Sequence, residues 1–260
     1  MNNTRTNQLK AIDRLLTIMD ELRAGCPWDK KQTFESLRHL TIEEIYELSE
    51  ALLAGNAEEI KKELGDVLLH IIFYAKIGSE KAAFDIADIA NGISDKLIER
   101  HPHIYGDVQV SDEDDVKRNW EQLKLKEGAK GVLAGVPKSL PSLVMASRMQ
   151  DKVAGIGFDW DSIEGVKAKV QEELQELNHE ISEGNIKQIE AELGDVFFSL
   201  VNYARFLGVN PDDALATTNK KFRARFEVME KNAITEKQQL SSLSAHQWET
   251  LWQQAKKTVG

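Results

Sequence analysis

The sequence has little of what would indicate a secreted or membrane-bound protein. It contains one cysteine, Cys26, so no internal disulfide can form, as is usual in a reducing cytoplasm. It has no apolar run of about 18 residues, which a membrane-spanning helix would need. The first residues, MNNTRTNQLK, lack the apolar core of a signal peptide. We therefore expect a cytoplasmic protein without a membrane span.

Basic charge and proline are also scarce. The 33 Lys and Arg residues are outnumbered by 43 Asp and Glu residues, which gives a formal net charge of -10. Binding to nucleic acid requires basic patches that face phosphates, so we expect no nucleic-acid partner. The five prolines occupy positions typical of loops or helix starts: Pro27, Pro102, Pro137, Pro141 and Pro211.

What the sequence does have is helical periodicity, and period-two strand patterns are missing. Apolar residues between Leu9 and Leu22 recur every three to four positions, which predicts one buried helix face. We expect an all-α protein. Further helices are predicted at about 35–54, 57–77, 81–99, 112–127, 141–153, 162–183, 186–207, 211–231 and 244–258.

A segment rich in glycine and proline, GAKGVLAGVPKSLP, divides the chain. Its apolar residues suggest a linker that lies on a protein surface. We predict an N-terminal module at 1–127, a linker at 128–142 and a C-terminal module at 143–260.

The two halves are copies of one another. The segment 55–78, GNAEEIKKELGDVLLHIIFYAKIG, aligns without a gap to 184–207, GNIKQIEAELGDVFFSLVNYARFL. The repeat preserves polar as well as apolar residues, whereas a purely structural repeat needs only the apolar ones. The polar pairs are Glu43 with Glu172, Glu44 with Glu173, Glu47 with Glu176, Glu63 with Glu192, and Asp66 with Asp195. Trp28-Asp29 also matches Trp160-Asp161, and Trp120-x3-Lys124 matches Trp252-x3-Lys256.

The repeated carboxylates predict a divalent metal site in each half. Glu173 and Glu176 share a helix face with Glu172 beside them, and Glu192 and Asp195 lie one turn apart on the next helix. Two antiparallel helices would bring these side chains together, and such a cluster repels itself unless it holds cations. Oxygen ligands without His or Cys favour Mg²⁺, or Mn²⁺ as a substitute. The chemistry that follows is metal-assisted hydrolysis at phosphorus.

Two glycines and several basic residues accompany this set. Gly65 and Gly194 lie inside predicted helices, and we expect a neighbouring helix or a ligand to approach them closely. Lys221 and Arg225 share a face, as do Lys96 and Arg100, and could bind phosphate. Lys169 could instead form an ordinary ion pair with Glu173, and Trp252 could stack on a base or pack in the core.

The combined motifs resemble the bacterial MazG family. The segments that carry the resemblance are the doubled EExxE…ELGDV pattern, RHPHIYGDV at 100–108, NWEQLKLKE at 119–127, the linker GVLAGVPKSLPSL and GFDW at 157–160. This resemblance implies two tandem helical-bundle modules of the all-α NTP pyrophosphatase type that associate as a homodimer. It implies Mg²⁺-dependent hydrolysis of nucleoside triphosphates, ribo and deoxy, between the α- and β-phosphates.

The resemblance also implies roles for individual residues. The metal ligands would be Glu173, Glu176, Glu192 and Asp195, while Glu172 would orient the attacking water. Lys169, Glu172, Lys221, Arg225 and Trp252 would contact nucleotide. The second, N-terminal site would comprise Glu43, Glu44, Glu47, Glu63, Asp66, Lys96 and Arg100. Leu40 occupies the position that matches Lys169, so we expect the C-terminal module to be the main catalyst.

Two other functions fit these residues. A narrow dUTP/dCTP pyrophosphatase would use the same metals with a selective base pocket. A non-catalytic adaptor that binds metal or nucleotide would use the helices to recognise a partner.

Overall fold

The computed structural model describes residues 4–110, 112, 115–116, 131–235 and 239–260. Within these ranges the protein is helical and contains no strand, as predicted. The chain forms two compact units, Met1–Val110 and Ser111–Gly260. No helix in the described ranges is long and apolar enough to cross a membrane. The predicted module end at 127 lies outside these ranges, and the predicted linker lies partly outside them.

The first unit contains a pair of long helices with shorter helices around it. The pair is α2 (Phe34–Ala54) and α3 (Ala57–Glu80), and both α1 (Arg5–Gly25) and α4 (Ile86–Arg100) pack against α3. A short helix, α5 (Pro102–Tyr105), follows α4.

The second unit repeats the helix pair and adds another. The repeated pair is α7 (Ile163–Glu183) and α8 (Ile186–Phe206), with α6 (Ser142–Ala154) packed on α8. The additional pair is α9 (Pro211–Thr235) and α10 (Ala245–Val259). The 3₁₀ helix Val132–Gly135, inside the predicted linker, contacts α6.

The same tight turn joins the helices of each repeated pair. Gly55 ends α2 with φ +67° and Gly184 ends α7 with φ +72°. This left-handed conformation costs glycine nothing and other residues about 1–2 kcal/mol, which explains the glycine at both positions. Asn56 and Asn185 follow as the N-caps of α3 and α8. The turn fixes the antiparallel arrangement on which the site depends.

The predicted helix at 81–99 begins later than the sequence suggested. The side chain of Asp85 accepts hydrogen bonds from the backbone N–H groups of Ala87 and Asp88, so α4 begins at Ile86. The preceding residues form a turn in which Ala82 has φ +51°. The predicted helix at 112–127 lies almost entirely outside the described residues.

The apolar stripe of α1 is buried only in part. Met19 is fully buried against Leu37, Ile72, Phe73 and Ile77 of the first unit. Towards the ends of the stripe, however, Leu9, Ile12 and Leu22 are exposed. The prediction of one continuous buried face was therefore wrong for this unit, because α1 is longer than the surface it packs on.

Candidate functional site

The α7–α8 pair brings three carboxylates of the second unit together. Oxygen atoms of Glu173, Glu176 and Glu192 all lie within 4.8 Å of one another. The first two project from α7 one turn apart, and Glu192 reaches them from α8. Glu173 is buried, at 6% exposure, which removes much of the water that would otherwise screen the repulsion. We call this group the second acidic cluster.

Lys169 partly neutralises the second acidic cluster. Its Nζ lies 2.7 Å from Glu172 Oε1 and 2.7 Å from Glu173 Oε1, and these contacts raise the pKa of the lysine above its usual value. Glu176 is affected differently: desolvation, followed by its interaction with Glu173, raises the pKa of its carboxyl group. One lysine therefore does not offset the charge of the whole cluster.

The α2–α3 pair forms a corresponding first acidic cluster. Oxygen atoms of Glu44, Glu63 and Asp66 lie within 4.8 Å of one another. Desolvation and the charge of Asp66 raise the pKa of Glu44. Glu63 is 4% exposed, and its Oε1 accepts a hydrogen bond of 2.9 Å from Lys62. Its other oxygen, Oε2, is buried without a hydrogen-bond partner among the described residues. A buried carboxylate oxygen left this way is a ligand atom suited to a cation.

The lysine that pairs with a cluster lies on the second helix of the pair in the first unit and on the first helix of the pair in the second unit. Lys62 of α3 forms the ion pair with the first cluster, and Ala191 occupies the matching position in the second unit. Lys169 of α7 serves the second, and Leu40 takes its place in the first unit, where it packs against the core. The sequence pattern did not indicate Lys62, because adjacent residues on a helix are not expected to face each other.

The other predicted acidic residues lie around these clusters. Asp195 is exposed and lines a pocket together with Glu173, while Glu172 pairs with Lys169. In the first unit Glu43 and Glu47 are exposed on α2. Neither triad includes Glu47 or Asp195. Each unit thus groups three of the four repeated ligand positions, and the missing position differs.

The other basic residues predicted to bind nucleotide belong to α9 and α4. The Arg225 guanidinium donates a 2.6 Å hydrogen bond to the carbonyl oxygen of Gly260 and lies 5.7 Å from the centre of the Trp252 ring. Trp252 packs against the core of the α9–α10 pair, and Lys221 is exposed on α9. Lys96 and Arg100 belong to α4. Of the predicted nucleotide contacts, Lys169 alone has a described contact with an acidic cluster.

We expected a neighbouring helix or a ligand to approach the two mid-helix glycines closely, and for a neighbouring helix this expectation was wrong. A Cβ atom added at Gly65 or Gly194 would meet no described atom within 4 Å. No neighbouring helix of the described chain therefore requires glycine there. The approach of a ligand or of another chain stays a prediction.

A pocket of about 540 Å³ adjoins the second acidic cluster. Lys169, Glu173 and Asp195 form a polar part of its wall, and apolar side chains form most of the remainder. This volume falls within the range of roughly 300–1,000 Å³ that small-molecule sites occupy. The arrangement can hold an apolar group of a ligand while an anionic group lies against Lys169.

The position of Lys169 predicts how the second cluster titrates. Replacing Lys169 with Leu, as in the first unit, removes a positive charge that lowers the pKa of Glu176. We expect the pKa of Glu176 to rise further in metal-free Lys169→Leu protein, measured by NMR titration of side-chain carboxyl carbons. Lys167→Leu, an exposed position on the same helix, should leave it unchanged. Equal behaviour of the two variants would contradict the described contact.

Sequence comparisons agree with this duplicated geometry. The family model of the MazG nucleotide pyrophosphohydrolase domain matches twice, at residues 32–105 and 161–229. The chain is 39% identical over 258 residues to the nucleoside triphosphate pyrophosphohydrolase of Escherichia coli (strain K12), covering 96% of this chain and 98% of that protein.

Two further relatives extend the comparison. Identity is 40% over 250 residues to the nucleoside triphosphate pyrophosphohydrolase/pyrophosphatase MazG of Thermotoga maritima, covering 94% of this chain and 95% of that one. It is 44% over 248 residues to the uncharacterized protein YabN of Bacillus subtilis, covering 93% of this chain and 51% of that one. The chain therefore belongs to the MazG nucleotide pyrophosphohydrolase family and carries the family's domain twice.

Proposed function

We propose that this protein hydrolyses nucleoside triphosphates, ribo and deoxy, between the α- and β-phosphates, giving a nucleoside monophosphate and pyrophosphate. The observation that carries the proposal is the second acidic cluster, with Lys169 beside it and a mostly apolar pocket next to it. A triphosphate has matching parts: an anionic chain that needs cations and a base that needs an apolar pocket. The proposed biological role is to remove nucleoside triphosphates from the nucleotide pool.

The residues fit Mg²⁺, with Mn²⁺ as a substitute. The described ligand atoms are carboxylate oxygens, which suit hard divalent cations. The buried, unpartnered Glu63 Oε2 supports the same reading for the first cluster. When bound, such an ion neutralises phosphate charge and makes phosphorus more susceptible to attack. We assign Glu173, Glu176, Glu192 and Asp195 as the ligands in the second unit.

Other side chains hold the substrate and the water. Lys169 lies beside Glu172 and Glu173 and can bind a phosphate oxygen there. Glu172 Oε1 accepts from Lys169, which leaves Oε2 to orient the water and accept its proton. The water oxygen bonds to the α-phosphorus as the bond to the bridging oxygen breaks, and pyrophosphate leaves. Lys221, Arg225 and Trp252 are proposed to contact the nucleotide.

We further propose that the substrate range is broad and that the protein is cytoplasmic. The net charge of -10 supports a small anionic substrate held through cations rather than nucleic acid. A narrow dUTP/dCTP hydrolase would show a steep pyrimidine bias across the eight common nucleotides. A non-catalytic adaptor would bind metal or nucleotide and release no product.

A homodimer is the proposed assembly. On α8, Leu193, Phe197 and Leu200 recur on one face and are 41–54% exposed. In the first unit, Leu64 and Ile71 of α3 are exposed at the positions that match Leu193 and Leu200. Apolar helix faces of this kind usually mark contacts with another chain.

The identity of the cleaved bond is tested by product analysis. With ATP or dGTP and Mg²⁺, ³¹P NMR should show monophosphate and pyrophosphate, and orthophosphate with diphosphate would contradict the proposal. Glu176→Gln should lower the rate by at least about a hundredfold, because loss of even an outer-shell partner of a metal site costs about 10–100-fold.

Two variants control this measurement. Glu183→Gln changes an exposed carboxylate at the end of the same helix and should retain the wild-type rate. Glu47→Gln occupies the position that matches Glu176 and should lose less activity than Glu176→Gln if the second unit is the main catalyst. A larger loss in Glu47→Gln would assign catalysis to the first unit.

Metal binding by both clusters can be measured without substrate. Mn²⁺ bound to the protein gives no free-ion EPR signal, so a titration reports the bound amount. We expect Glu63→Gln and Glu176→Gln each to lower Mn²⁺ binding, because each removes a carboxylate from one cluster. The double variant should bind least. Binding equal to the wild type in the double variant would contradict both metal sites.

The assembly is tested by sedimentation equilibrium. Phe197→Glu places a charge on the exposed apolar face of α8 and should shift the protein towards monomer. Ile234→Glu, at a 75% exposed position of α9, should leave the mass unchanged. A monomeric wild-type protein would refute the proposed dimer.

A further inference from the structure

The pocket beside the second acidic cluster has an aromatic rim. Phe158 and Trp160, from the loop after α6, and Phe198 of α8 line it and are 43–76% exposed. Exposed apolar side chains clustered around a groove often mark a ligand-binding site, and a nucleobase stacks readily on aromatic rings. Lys169, Glu173 and Asp195 lie on the same wall, so a bound nucleotide could place its phosphates there.

The backbone is shaped to hold Trp160 in this position. Gly157 has φ +90° in the loop that presents Phe158 and Trp160. A Cβ atom at Gly165 would lie 3.0 Å from the Trp160 ring, so the absence of a side chain in the first turn of α7 lets the ring pack there. One face of the Trp160 indole therefore packs against the first turn of α7, which holds the ring in place.

A chain of polar contacts fixes Asn202 in the same pocket. Asp159 and Arg205 form a two-pronged ion pair, and Asp159 also accepts a 2.9 Å hydrogen bond from the backbone N–H of Trp160. Burial alone would raise the pKa of Asp159, but these hydrogen bonds bring it below its usual value. Arg205 in turn donates to Asn202 Oδ1 over 3.1 Å and 2.9 Å.

These contacts determine which hydrogen bond Asn202 can still make. Its oxygen accepts from Arg205, so its amide cannot flip, and its NH₂ group donates to no atom of the described chain. Asn202 therefore presents donors alone. Among the bases, uracil, thymine and guanine carry a carbonyl acceptor where cytosine and adenine carry an amino donor.

The first unit has filled the corresponding space. Phe73 matches Asn202 and is 4% exposed within the core, and Leu40 matches Lys169 and packs against it. His70, which matches Ser199, is buried with its Nδ1 2.8 Å from Thr41 Oγ1. Asn202 and Lys169 are therefore replaced in the unit with the first acidic cluster, although a tryptophan, Trp28, is kept at the position that matches Trp160.

The geometry points to the second-unit pocket as the nucleobase subsite, with Trp160 as its stacking platform and Asn202 as a specificity-determining residue that favours bases with a carbonyl group. This inference rests on the proposed hydrolysis of nucleoside triphosphates and adds the recognition of the base. Asp159 and Arg205 are positioning residues, since they act through Asn202.

The decisive variant is Asn202→Asp. It keeps an acceptor for Arg205 and the side-chain volume but loses the N–H donors. We expect kcat/KM for UTP and GTP to fall about tenfold relative to CTP and ATP, as for one unpaired hydrogen bond. Inorganic tripolyphosphate, a competitor without a base, should inhibit the variant and the wild type equally. An unchanged ratio of carbonyl to amino bases would overturn the assignment of Asn202.

Trp160→Ala tests the platform. Loss of stacking should raise KM about tenfold for all four nucleotides, while inhibition by tripolyphosphate stays unchanged. Trp160→Tyr, which keeps a ring, should restore most of the affinity. Trp28→Ala is the matched control, because Trp28 holds the equivalent position in the first unit and is 55% exposed. An equal effect of Trp28→Ala and Trp160→Ala would overturn the location of the subsite.

Calorimetry separates this inference from the proposed function. UMP should bind wild-type protein more tightly than CMP, and Asn202→Asp should remove or reverse that difference. Binding of UMP that follows this pattern without any pyrophosphate release would refute the proposed hydrolysis and keep the subsite. Pyrophosphate release with equal UMP and CMP affinities in both proteins would refute the specificity role of Asn202.

Discussion

Repulsion between carboxylates held on neighbouring helices is the constraint on which the rest of this structure depends. Three acidic side chains meet within 4.8 Å in each unit, and at least one member of each triad is buried. Such an arrangement costs free energy unless positive charge is close by. Among the residues that the structure describes, one lysine contacts each cluster, Lys62 in the first and Lys169 in the second. Desolvation still raises the pKa of Glu44 and Glu176. Negative charge therefore remains for a divalent cation to balance.

Much of this could be predicted from the sequence, because the relevant signals are local. Helix periodicity, the Gly-Asn turn and the duplicated acidic residues together indicate paired antiparallel helices with carboxylates on facing sides. The later start of α4 depends on the Asp85 cap, which a periodicity pattern does not report. The exposure of Leu9 could not be predicted either, because it depends on how far the packing surface extends beneath α1.

The features that distinguish the two units depend on contacts between distant residues. The pairing of Arg205 with Asp159 spans 46 positions, and it gives Asn202 its orientation. The repeat alignment shows that Phe73 stands where Asn202 does, but not that one lies in a core and the other in a pocket. The two units share the pair of antiparallel helices, but they differ in the residues that lie beside the acidic cluster. Leu40, His70 and Phe73 occupy in the first unit the positions at which Lys169, Ser199 and Asn202 line the pocket of the second.

Helix α8 has an interior face, an acidic face and an exposed apolar face. The acidic and apolar faces lie close together, which links the proposed metal site to the proposed dimer contact. Val196 and Ser199 face the interior, Glu192 and Asp195 face the second cluster or its pocket, and Leu193 and Phe197 are exposed. Gly194 lies between these surfaces with open space around it, so its own unit does not require glycine there. In the proposed dimer, another chain packed on Leu193 and Phe197 would lie within one helical turn of Glu192. Association would then exclude water beside the carboxylates and strengthen their attraction to a cation, so assembly and metal affinity should be coupled.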